Sequence, residues 1–107
     1  GDDVLQMVSK TFQNALRRND FVGRWGGEEF LAILRGGNEE ELLAVAEKVR
    51  VVTAKSELNR EGALLNVTIS IGATMVRKGD SAASIVQRAD EALYRSKHEG
   101  RDRVTLL

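Results

Sequence analysis

Apolar residues at Val4, Leu5, Val8, Phe12, Ala15 and Leu16 follow the i, i+3, i+4 spacing of one helical face. They predict a first helix that stops near Asn19-Asp20, residues suited to caps and turns. Phe21 to Trp25 then reads as a short strand, and Glu29 to Leu34 as a second. Only Gly26-Gly27-Glu28 separates them. So short a link predicts an antiparallel hairpin, because glycine supplies the positive φ that primed turns require. Gly36-Gly37 ends it. Asn38, with Glu41 three residues on, resembles a capping box with Asn in place of Ser or Thr. Leu42, Leu43, Val45, Ala46, Val49 and Val52 mark the buried side of a long second helix, which ends before Gly62. Val67, Ile69, Ile71 and Ala73 alternate with polar or small residues, the period of a half-buried strand. After a Lys78-Gly79-Asp80 turn, Ile85, Val86, Ala89, Ala92 and Leu93 outline a third helix, with Gly100 at its C-cap. Arg103 to Leu107 forms a short last strand. The order α-β-β-α-β-α-β predicts an α+β fold, helices layered on a mainly antiparallel sheet, in a single domain over residues 1–107.

Composition narrows the function classes more than it narrows the fold. With 42% hydrophobic and 30% charged residues, the 107-residue chain suits one globular domain. Sixteen basic and sixteen acidic side chains cancel. No global field therefore draws the protein to nucleic acid or an anionic membrane, and any phosphate binding is local. The absence of cysteine excludes disulfides and thiolate metal sites. No apolar run approaches the roughly 18 residues of a membrane span. A cytoplasmic setting is expected, and the opening Gly1-Asp2-Asp3 reads as a cut through a larger domain.

Within this pattern, Arg24-Trp-Gly-Gly-Glu-Glu-Phe30 stands out. Gly26 and Gly27 allow a tight turn and close approach by a large ligand, and Glu28 and Glu29 come directly after them. Adjacent carboxylates repel unless a cation neutralises them, and their hard oxygens suit Mg²⁺ or Mn²⁺ beside phosphate. With such an ion, one glutamate ligates metal while the other, or the same one, helps deprotonate an attacking hydroxyl. The plain alternative is a Gly-Gly turn with two solvated acids. Spacing alone leaves both open.

The stretch Gly26-Gly-Glu-Glu-Phe30 with Arg24 resembles the signature of the GGDEF family, the diguanylate cyclases, which join two GTP molecules into cyclic dimeric GMP. Three further segments resemble that family in order: Gly1-Asp-Asp-Val-Leu5, the Arg-x-x-Asp pattern Arg17 to Asp20, and Ala89 to Val104. The resemblance spans the chain. It implies a palm-like nucleotide-cyclase fold with ferredoxin-like topology, here the C-terminal portion of the domain with the first core strand missing. That loss would expose an edge beside the Val67 to Ala73 strand. It implies a bacterial signalling enzyme with a metal-binding general base, Glu28, a second carboxylate at the metals, Glu29, and room for the GTP phosphates at Gly26 and Gly27. Asp2 would accept from guanine, and Lys97 and Arg101 would hold the terminal phosphates.

Arg17 and Asp20 would form an inhibitory site for the product, the arginine forking onto guanine or phosphate. Each assignment has a plainer counterpart. Lys97 and Arg101 also suit the last turn of a helix through its dipole, and Arg17 with Asp20 also makes an ordinary i, i+3 ion pair. His98 reads as a helix-surface residue, and Trp25 and Phe30 as hairpin packing. The resemblance further implies a second copy of the domain facing the first, so that each hydroxyl meets the opposite α-phosphate, and an upstream sensor or receiver that could tether the parent protein to a membrane. The upstream aspartate ligand and guanine-reading asparagine of the family have no counterpart here, so the stretch alone is expected to be inactive. Two other readings compete: a catalytically silent receptor for cyclic dimeric GMP, and a different nucleotidyl transferase on a similar sheet.

Overall fold

The computed structural model describes the main chain of residues 2–15, 21–26, 29–33 and 37–107, and side chains for 6–14, 37–57, 59, 61–64 and 66–107. The elements are α1 (Asp2–Ala15), β1 (Phe21–Gly26), β2 (Glu29–Ile33), α2 (Glu39–Lys55), β3 (Glu57–Arg60), β4 (Ala63–Asn66), β5 (Ile71–Ala73), α3 (Ala82–His98) and β6 (Val104–Leu106).

The core forms where α2 and α3 meet β5 and β6. Gly72 carries no side chain because α3 lies directly against it. A Cβ there would collide with the amide nitrogen of Leu93 and the carbonyl of Ala89, and would lie 2.7 Å from Leu93 Cα. Neighbouring residues of a strand face opposite ways, so Ala73 points away from α3. It is buried on that far side, where α2 is the other helix packed on β5. The strand pair is thus held between two helices. Val49 of α2 and Ala92 of α3 are fully buried. Ser96, also fully buried, donates its hydroxyl to the Ile71 carbonyl at 2.8 Å and shares a hydrogen bond of 2.7 Å with Thr105 Oγ1. That contact satisfies a buried polar group and pins the end of α3 to both strands. α1 packs on α2, with Val8 at the contact layer and Thr11 Oγ1 donating back to the Met7 carbonyl.

The second helix begins as the sequence predicts. Asn38 Oδ1 accepts from the Glu41 amide at 2.9 Å. α3 opens with a reciprocal capping box, Ser81 and Ser84 each accepting the other's amide proton. Its far end closes in a Schellman arrangement: Glu99 is the C-cap, Gly100 comes next at φ 122°, and the Arg101 amide reaches the Ser96 carbonyl at 2.9 Å.

Four expectations change. The sheet is not one mainly antiparallel layer: the described strands form three two-stranded units, and β5 pairs with β6 in parallel. The reason is connectivity, because α3 carries the chain back across the strands before β6 starts, the geometry of a βαβ crossover. Second, α2 ends at Lys55 and a hairpin comes after it. β3 and β4 pair antiparallel across Glu61-Gly62, both at positive φ (51° and 81°), as a two-residue primed turn demands. Third, only Ile71–Ala73 of the alternating stretch is paired as a strand, and Val67 to Ser70 lie outside the strand pairing. Fourth, the buried stripe of α2 is Ala46, Val49 and Thr53, whereas Val52 is 42% exposed. The Thr53 hydroxyl is buried and has no hydrogen-bond partner among the described residues.

Candidate functional site

The β1–β2 hairpin places the main chain of Gly26 and Glu29. Phe21 to Arg24 pair in regular antiparallel register with Ile33 to Phe30, and the register then shifts so that Gly26 faces Glu29. Trp25 is the extra residue of this bulge, a feature that locally increases the twist of a strand. Glu29 therefore opens β2 directly opposite a residue with no side chain. Gly27 and Glu28, between the paired positions, lie outside the described residues, as do Arg17 and Asp20. Asp2 is the first residue of α1. The side chains of Asp2 and Glu29 are not among those described.

Lys97 lies in the last turn of α3 and Arg101 in the turn that follows, four residues apart and both exposed. Neither makes an ion pair or side-chain hydrogen bond among the described residues. That contrasts with Arg50, Arg88 and Arg95, each of which meets a carboxylate. His98 is on the surface as expected, its ring 4.2 Å from that of Tyr94.

The turn that displays Arg101 is unusual. Gly100, Arg101 and Asp102 stand at φ 122°, 62° and 47°, so two residues with side chains adopt the left-handed region in succession. Such a conformation costs a non-glycine residue roughly 1–2 kcal/mol, less for Asp than for most. Arg50 of α2 donates to Asp102 Oδ1 at 2.9 Å and is itself gripped by both carboxylate oxygens of Glu47, at 3.1 and 2.8 Å. The hydrogen bond from Arg50 holds the Glu47 carboxyl below the usual carboxylate range. The hydrogen bonds to Glu47 and then Asp102 raise Arg50 further above its already high value. Neither Arg50 nor Asp102 carries a signal in the sequence that singles it out, because the two are 52 residues apart.

A second network closes the opposite end of α3. Arg88 grips both oxygens of Asp80, at 3.1 and 2.6 Å, and also reaches Thr74 Oγ1 and the Met75 carbonyl. Hydrogen bonds from Arg88 first, and from the Arg77 amide second, hold the Asp80 carboxyl far below its ordinary range. A groove of about 260 Å³ between α1 and α2 is lined by Met7, Thr11 and Val52, with Lys10 and Lys48 among its polar residues. None of the expected site residues lines it.

Two adjacent carboxylates with a side-chain-free glycine opposite one of them suit a hard divalent cation. Among the described residues no three His, Cys, Asp or Glu side chains converge on a common metal position.

The family model described as diguanylate cyclase, GGDEF domain, matches residues 1–103. The chain belongs to the GGDEF family. Diguanylate cyclase A of Treponema denticola is 44% identical to this GGDEF chain over 107 residues, 99% of the chain and 29% of that relative. The structure of the diguanylate cyclase SiaD of Pseudomonas aeruginosa, solved with its activator SiaC, superposes with a TM-score of 0.94. It is 36% identical, and the match covers 99% of this chain and 41% of that one. The coiled coil and GGDEF domain of DgcB from Caulobacter crescentus, in complex with c-di-GMP, gives a TM-score of 0.91 at 31% identity, covering 99% and 57%. The GGDEF chain thus spans less than a third of the length of its Treponema relative. Among the described residues no helix is long and apolar enough to cross a membrane.

Proposed function

We propose that the protein containing this domain condenses two GTP molecules into cyclic dimeric GMP, each 3′-hydroxyl displacing pyrophosphate from the α-phosphate of the other nucleotide. The observation that carries the reading is the hairpin register: the signature glycine Gly26 pairs with Glu29 at the last described pair of a bulged hairpin. In this reading Glu28 and Glu29 hold Mg²⁺ or Mn²⁺, which when bound neutralises phosphate charge and acidifies the 3′-hydroxyl. Glu28 takes the proton from that hydroxyl. Gly26 and Gly27 leave space for the phosphates, Asp2 accepts from the guanine edge, and Lys97 and Arg101 bind the terminal phosphates. That both cations lack partners among the described residues supports their assignment. Two copies of the domain face each other, since each supplies one GTP. Product binds at Arg17 and Asp20 and inhibits. One hairpin tip offers too few oxygens for two metal ions, so the stretch by itself is inactive.

The test is product formation by the full-length protein from GTP and Mg²⁺, measured chromatographically. Glu28→Gln is expected to lower the rate by roughly 10²-fold or more, since it removes both a metal oxygen and the base. Full activity in that variant would refute the assignment.

A further inference from the structure

We propose that Arg50 is a positioning residue for the phosphate-binding turn after α3, acting through Asp102 on Arg101. The inference rests on the assignment of Arg101 to GTP phosphates. The main chain from Gly100 to Asp102 stays at positive φ over three successive residues, and only Gly100 is of a type that adopts it freely. Something must hold the other two. The Arg101 amide is tied to the Ser96 carbonyl at 2.9 Å, and its carbonyl accepts from Arg103 Nε at 3.1 Å. The Arg103 carbonyl accepts from the Ile71 amide at 2.9 Å, where β6 begins. Between these anchors, the support of Asp102 comes from outside the turn. Arg50 Nη1 lies 2.9 Å from its carboxylate and 3.4 Å from its carbonyl.

Arg50 is suited to that task because its planar guanidinium is fixed before it reaches the turn. Nε and Nη2 engage Glu47 as a fork, leaving Nη1 for Asp102. The side chain is only 21% exposed. A lysine could satisfy one partner but not this three-point arrangement. Arg101, meanwhile, is left with its guanidinium unpaired among the described residues. One arginine thus holds the backbone so that the other faces the ligand.

Titration calorimetry on the full-length protein tests this with two probes, a non-hydrolysable GTP analogue and GMP, which lacks the terminal phosphates. Arg50→Ala and Asp102→Gly are each expected to weaken the analogue about 5- to 10-fold while GMP affinity stays within about two-fold. Asp102→Asn keeps an oxygen for Arg50 and tolerates positive φ, so it should bind like the wild type. In an Arg101→Ala background, Arg50→Ala should add no further loss, because its effect passes through Arg101. If Arg101→Ala weakens the analogue but Arg50→Ala and Asp102→Gly do not, the positioning role is wrong and the phosphate assignment stands. Equal weakening of both probes, or an added loss in the double variant, would mean general structural support and also overturns the proposal. If Arg101→Ala binds the analogue normally, the phosphate assignment itself falls, and the inference with it. Should Arg50→Ala fail to fold, Asp102→Gly decides, since glycine suits that backbone.

Discussion

A methyl group at position 72 would have to enter the main chain of α3, where no rotamer change can make room. Gly72→Ala is accordingly expected to cost at least about 3 kcal/mol, the upper end for overpacking, and to show as a large fall in thermal midpoint. A loss below about 1 kcal/mol would mean that α3 can lift off the strands at little cost. Asp80 offers a pH test. Its carboxyl is held far down by Arg88 and the Arg77 amide, so the folded state keeps it ionised where the unfolded chain takes up a proton. Its contribution is complete above about pH 4, the ordinary aspartate value, and is lost as pH falls from there toward its depressed folded value. Thermal melts of wild type and Asp80→Asn should differ most near pH 7 and converge in acid. A constant gap between pH 7 and pH 2 would remove the ion pair from the account.

At the level of elements, helix existence is legible in the sequence and strand pairing only partly so. The three helices announce themselves through apolar spacing, and Asn38 marks the start of α2. The start of α3 is subtler, because Ser84 stands where a capping box usually has Glu or Gln. Ser81→Ala is expected to cost about 1 kcal/mol, measurable by denaturant unfolding. No change in midpoint would mean that the Asp80 to Arg88 network alone fixes that end. The Gly-Gly link reveals the first hairpin. The second escapes a reading of the sequence although Glu61-Gly62 is a two-residue loop between pairable segments, since its strands lack alternation strong enough to compete with continuation of α2. The Leu64 side chain of this hairpin is 63% exposed. Parallel pairing of β5 with β6 leaves no local mark, because it depends on a crossover 30 residues long in place of a turn.

Taken as a whole, the molecule separates what a motif can reveal from what only tertiary structure can. Glu28, Glu29, Lys97 and Arg101 stand in short contiguous patterns, and the family match agrees with the resemblance those patterns carry. Arg50 is invisible at that level, because its importance lies in a contact across 52 residues and nothing in its neighbourhood differs from an ordinary helix surface. The connection through α3 also carries a kinetic implication. Strands that run in the same direction cannot meet through a tight bend, so β5 and β6 are joined by the long connection that includes α3. A ladder closed by so long a crossover raises the contact order of the fold, which slows folding relative to strands joined by a turn.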